Sequence, residues 1–224
     1  MRIQEMLALS NLTGYIKRLN VHSALASASM AGPVVLIITD IMASSANPGY
    51  NPVRDSISSL ALYKLGWVQT IGFLAIGLLI EIFTAGLLYN IRTRRGFHFS
   101  IACLVIMGFG LLLLGAFRTD PVGVSDTTEG IIHNVTALVV FWLFPITCLL
   151  MAPSVRNDPY WKNLYKYTII AGFLGFILVI MVIVLEDSDS WFGLAERLLV
   201  ANMIIWVEVM AFKLLYLSLT RDNS

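Results

Sequence analysis

The sequence predicts an all-α polytopic membrane protein: a six-transmembrane-helix bundle with its N- and C-termini cytoplasmic. Composition is the first reason. Hydrophobic residues make up 58% of the 224 positions and charged residues 13%, with a mean hydropathy of +0.79. Soluble domains run at ~45–50% apolar and ~25% charged, so this chain cannot cover a water-facing surface. Six apolar stretches are the second reason, each near the ~20 residues needed to cross a ~30 Å hydrocarbon core. The third is an uneven distribution of Lys and Arg between the two sets of loops.

Residues 1–20 carry Glu5, Lys17 and Arg18 and lack the clean apolar centre of a signal peptide. Ile3, Leu7, Leu12, Ile16 and Leu19 roughly follow helical spacing, which predicts an amphipathic interfacial segment. The spans follow at about 22–44, 66–90, 99–117, 131–152, 165–185 and 194–217. The short connections make residues 21–218 one six-helix transmembrane domain, with 219–224 a short cytoplasmic tail. The first span opens on small residues from Ser23 to Gly32, suited to close helix packing. Pro33 and Pro145 are expected to kink the first and fourth spans.

Of the 15 Lys and Arg residues, only Arg54, Lys64, Arg118 and Arg197 fall on the side away from the termini. Positive charge stays inside, so both termini are expected in the cytoplasm of a prokaryotic cell. Trp67 and Trp191 then sit at the outer surface and Trp161 near the inner one. A net charge of +1 gives no basic face for nucleic acid. Cys103 and Cys148 lie inside apolar runs and read as buried free thiols.

Charge beside a membrane bundle is costly and points to function. On the outer side it comes from three stretches: N-P-V-R-D-S-I-S-S-L at 51–60, F-R-T-D-P at 117–121, and I-H-N at 132–134. The first reads as a short interfacial or re-entrant helix that Asp55 or Ser56 can cap. Arg54, Asp55, Ser56, Arg118, Asp120 and His133 are the candidate ligand-binding residues, able to clasp a lipid headgroup or other anion. The competing reading is that Arg54–Asp120 and Arg118–Asp55 pairs merely staple the helix ends.

These stretches also resemble a known family. The R-D-S-I-S-S-L run, the G-x-F-R-T-D-P end of the third span and the following I-H-N are similar to the prokaryotic six-span membrane family known as domain of unknown function nine hundred and ninety-eight. The resemblance covers about residues 25–215. It implies a multi-pass membrane protein and no established activity, and it supports the choice of Arg54, Asp55, Ser56, Asp120 and His133 without giving them roles.

Two enzymatic arrangements are conceivable. In serine catalysis Ser58 or Ser59 would be the nucleophile, His133 the base and Asp120 its orienting partner. A carboxylate-rich metal site of Asp55, Asp120 and His133 has no supporting ligand spacing. His22 and His98 lie at the inner surface, across the membrane from His133. No metal and no cofactor are expected. Asp40, Glu81 and Glu208 are carboxylates within spans, each expected to be partnered or protonated. The runs from Glu81 and Glu208 align at Glu, Leu-Leu-Tyr and Thr-Arg, a similarity that fits neither usual transporter repeat.

Three readings therefore stand. The first is an outward-facing polar pocket for a lipid headgroup or small polar ligand, serving sensing, transport or membrane assembly. The second is a membrane-embedded hydrolase or transferase at the outer interface. The third is an accessory subunit of a larger membrane complex or a homo-oligomer. The expected partners are membrane lipids.

Overall fold

The computed structural model of the protein describes residues 21–121, 123–186 and 190–220. The expected interfacial segment 1–20, residues 221–224 of the tail and the His22 side chain lie outside the described residues. Six α-helices carry the chain: α1 Val21–Ser45, α2 Gly66–Asn90, α3 Phe97–Ala116, α4 Thr128–Asn157, α5 Tyr165–Leu185 and α6 Phe192–Thr220. Short 3-10 turns at Ser58–Leu62 and Lys162–Leu164 precede α2 and α5. All six helices are long and apolar enough to cross a membrane. Lipid offers no hydrogen bonds to a backbone, so a spanning segment must satisfy its own N–H and C=O groups, as an α-helix does. α1 and α4 stay helical through Pro33, Pro145 and Pro153.

Each helix packs on the next, and α6 returns to α1, closing a ring. Ile37 and Ile41 of α1 and Phe173 and Ile177 of α5 stand exposed on its perimeter. Such a surface would aggregate in water and is at ease in hydrocarbon. Small residues set the spacing, because helices in lipid associate by close packing rather than by hydrophobic exclusion. At Gly77 of α2, a β-carbon would stand 2.9 Å from the Gly108 carbonyl of α3. α2 and α6 also meet across the middle, where the Phe83 and Phe144 rings each lie 6.0 Å from buried Trp206. The Trp206 indole donates to Thr168 Oγ1 of α5 at 3.4 Å.

The end of the ring where α1 begins and α6 ends is closed by Asp158, almost fully buried. Its carboxylate accepts the backbone N–H groups of Arg92 at 3.0 Å and Tyr160 at 2.9 Å, tying the α2–α3 connection to the α4–α5 connection. Gly96, with φ 86°, makes the left-handed turn into α3 that a β-carbon would strain. The opposite end is closed by residues 46–65, the connection between α1 and α2, which lies across the ring as a plug.

Candidate functional site beneath the plug

Four helices hold the plug. The first N–H groups of a helix have no partner within it, and at α6 two of them find the plug backbone: Gly193 N–H donates to Arg54 O at 3.1 Å and Leu194 N–H to Val53 O at 2.9 Å. A β-carbon at Gly193 would run into the Asp55 and Pro52 carbonyls, so glycine is what permits this approach. One turn on, Glu196 is buried and its Oε2 accepts the Ile57 N–H at 2.7 Å.

Arg197 is the centre of the arrangement. Its Nη1 donates to the carbonyls of Pro52 at 2.8 Å, Asp55 at 3.0 Å and Gly193 at 3.2 Å. Its Nη2 donates to Asp40 Oδ1 of α1 at 3.1 Å and to the Tyr50 hydroxyl. The guanidinium also lies over the Tyr50 ring, 5.4 Å from its centroid. The Tyr50 hydroxyl donates in turn to the carbonyls of Ser56 at 2.8 Å and Asp55 at 3.1 Å. Burial pushes that phenol's pKa upward, which keeps it a donor at every physiological pH.

α4 supplies the third attachment. His133 is buried, with Nδ1 2.7 Å from the Phe117 carbonyl and Nε2 2.9 Å from Ser58 Oγ. A carbonyl can only accept, so Nδ1 carries the proton in the neutral ring and Nε2 accepts from the Ser58 hydroxyl. On the α2 side the plug turn presses on the helix start, where the Ala61 carbonyl leaves no space for a side chain at Gly66.

Below this polar layer lies a narrow cavity. Ser58 and Glu196 line it together with Leu36, Phe73, Leu111 and Val140, and the rest of its wall is apolar as well. Its centre has room for little more than a water-sized group.

The residues chosen from the sequence are divided among several tasks. Arg54 pairs with its neighbour Asp55, Nε to Oδ1 at 2.7 Å, and not with Asp120. That hydrogen bond, with the Asn51 N–H, holds the Asp55 carboxyl below its usual pKa. Asp120 holds the residue that caps α4: its oxygens accept the Thr127 N–H and hydroxyl, both at 2.8 Å, and they fill the space beside Gly130. Arg118 is exposed, and its backbone N–H donates to Glu129 Oε1 at 2.8 Å. The expected Arg54–Asp120 and Arg118–Asp55 staples are thus replaced by contacts between near neighbours in sequence, because short loops bring those groups together at lower entropic cost.

The expected Ser–His–Asp order is corrected in one member. Ser58 does meet His133, but the Phe117 carbonyl orients the ring while Asp120 is engaged at Thr127. Ser59 turns back to donate to the Ser56 carbonyl at 2.7 Å, and Ser56 Oγ accepts the Ser59 N–H at 3.0 Å. Among the described residues, no group of three or more His, Cys, Asp or Glu is placed to hold a metal ion. Asp40 joins Arg197, Glu81 lies against the Gly108 backbone of α3, and Glu208 Oε2 is buried without a hydrogen-bond partner.

Tyr50, Gln69, Glu196 and Arg197 are absent from the candidates chosen by sequence. The adjacent Glu196–Arg197 pair inside the sixth span was the available signal, since charge within a span is rarely idle. Gln69 of α2 is wholly buried, and neither its amide oxygen nor its nitrogen has a hydrogen-bond partner.

No curated protein and no solved structure shows a significant match to the chain. The family model described as a protein of unknown function, DUF998, matches residues 30–213, which reaches into all six helices and takes in the whole plug. With six apolar helices and that match, the chain is a multi-pass membrane protein belonging to the DUF998 family.

Proposed function

We propose that the protein binds the small polar end of an amphiphilic molecule at its plugged end, against the buried layer under the plug. The observation that carries this reading is the cavity's lining: polar at Ser58 and Glu196, apolar elsewhere. Binding sites for small molecules are typically apolar with a few placed polar groups. The cavity is narrow, so it takes only a small group and the rest of the molecule stays outside it. We further place the plug on the outer face of a prokaryotic cell membrane and both termini in the cytoplasm, supported by the eleven Lys and Arg residues on the terminal side.

The test is lipid mass spectrometry on protein purified with its native lipids, comparing wild type with Ala137→Phe, which fills the cavity from its wall. A stoichiometric amphiphile is expected on the wild type and a loss of at least about tenfold on the variant, the size of a 1.4 kcal/mol change. A lipid-free wild type, or equal loading of both proteins, rules the binding site out.

The Ser58–His133 hydrogen bond favours a second reading, acyl transfer at the same place. Ser58 Oγ would add to an ester carbonyl while His133 Nε2 takes its proton and returns it to the leaving alcohol. Water or a second alcohol would then release the acyl group from Ser58. A fluorophosphonate probe should then label Ser58, and His133→Asn should reduce labelling by about 100-fold or more, the usual contribution of a general base. No labelling of a folded wild-type protein ends this reading.

A further inference from the structure

We infer that the end of the ring closed by Asp158 is a docking surface for the headgroup of an anionic phospholipid, held by arginine and lysine side chains around the α2–α3 and α4–α5 connections. This surface lies at the opposite end of the helices from the cavity under the plug and does not depend on it.

The fold joins two basic segments into one surface, and that is the first reason. Arg92, Arg94 and Arg95 belong to the α2–α3 connection, while Arg156, Lys162 and Lys166 surround the α4–α5 connection. Four contacts bring the two segments together. Asp158 Oδ2 accepts the Arg92 N–H and Ser154 Oγ accepts the Arg94 N–H, both at 3.0 Å. Trp161 Nε1 donates to the Asn90 carbonyl at 3.2 Å, and a β-carbon at Gly96 would stand 2.9 Å from the Leu150 carbonyl. Two of these bonds are made by the backbone of an arginine, and all six basic residues are exposed.

Charge balance is the second reason. Asp158 is the one acid in the two connections. It is buried, and each of its oxygens already accepts a backbone N–H. Neither α3 nor α5 has an acidic residue in its first turn. Among the described residues, none of the six cations takes part in an ion pair. Like charges held together repel, and a shared anion relieves that repulsion. The bias of Lys and Arg toward one side of a membrane accounts for their number. It does not require two connections tied face to face with no acid exposed between them.

The third reason is the match of chemistry and depth to a lipid phosphate. Guanidinium groups bind phosphate oxygens in pairs, and basic pockets at the ends of spanning helices receive phospholipid headgroups. Tyr89, in the last turn of α2, is 72% exposed, and Tyr160 of the α4–α5 connection is 46% exposed. Tyrosines at the edge of a spanning segment rest at headgroup level. The cations beside them in sequence are therefore within reach of lipid phosphates.

The experiment offers the full-length protein, purified in detergent, an equimolar mixture of phosphatidylglycerol and phosphatidylcholine, with retained lipid read by native mass spectrometry. The wild type is expected to prefer phosphatidylglycerol at least tenfold. One Lys or Arg near an anionic lipid contributes about fivefold in binding. Arg156→Gln with Lys162→Gln should therefore remove the preference, while Arg92, Arg94 and Arg95 remain to maintain the charge bias of membrane insertion. If that double variant does not fold, Arg156→Gln alone should lower the preference about fivefold. Lys64→Gln removes one charge at the plugged end and should leave it unchanged. Equal retention of the two lipids by wild type, or equal losses in Arg156→Gln and Lys64→Gln, overturns the site. Displacement of phosphatidylglycerol by millimolar inorganic phosphate at constant ionic strength overturns the lipid assignment in favour of a soluble anion. Ala137→Phe should leave phosphatidylglycerol retention unchanged, which separates this result from the test of the cavity.

Discussion

Arg197→Ala is expected to destabilise the protein by about 3 kcal/mol, the low end of the cost of removing one partner from a buried ion pair, since Arg197 and Asp40 are only partly buried. The substitution leaves Asp40 without its cation and three carbonyls without their donor, all of them where plug and helices meet. Arg197→Lys should recover only part of the loss, because an ammonium cannot reproduce the planar fork that reaches several acceptors at once. Arg54→Ala is the control. Its pair with Asp55 is exposed, with half of the Arg54 side chain in contact with solvent, and such pairs contribute about 0–1 kcal/mol. Hydrogen exchange in nanodiscs should show the Arg197→Ala loss concentrated in the amides of residues 51–60. Equal unfolding of the Arg197 and Arg54 variants would mean that the guanidinium does not hold the plug.

Trp206→Ala is expected to cost about 3–5 kcal/mol as well, through an unfilled cavity rather than a lost charge. The indole is fully buried between Phe83 and Phe144, where α2, α4 and α6 meet, and its N–H reaches Thr168. In lipid the lost contribution is packing rather than transfer from water, so the lower part of that range is expected. Plug amides should remain protected while those of the ring's middle exchange faster. The two sites are nine residues apart on one helix, roughly 13 Å, so their effects should add in the double variant. Wild-type stability in Trp206→Ala would show that the core is centred elsewhere.

Much of the architecture is legible in the residues because the bilayer allows so few solutions. The spans expected at 66–90 and 165–185 coincide with α2 and α5, and the others differ only by a few residues at their ends. The fourth departs most, since α4 runs on to Asn157 and begins at Thr128, whose neighbour Thr127 caps it by accepting the Gly130 N–H. That cap belongs to local chemistry, and a hydropathy reading is blind to it. Pro33 and Pro145 stand within continuous helices.

The site was less legible, and unevenly so. Ser58 and His133, chosen from the sequence, do meet under the plug, 75 positions apart. Arg54, Asp55 and Asp120, chosen on the same grounds, are engaged in short-range contacts outside the cavity. Polar type and expected depth are alike for both groups, so composition could not separate them.

What the sequence by itself determined is therefore the class, the six spans and the end at which polar groups gather. Each follows from a one-dimensional requirement: enough apolar length, and charge kept out of hydrocarbon. Which polar groups face inward was decided only by tertiary structure. The connection from α1 to α2 folds over the ring and lies on the first turn of α6, and that docking selects Glu196 and Arg197 while leaving Arg54 in solvent. Partners more than a hundred residues apart are set by how the ring closes, and hydropathy along the chain carries no record of that closure.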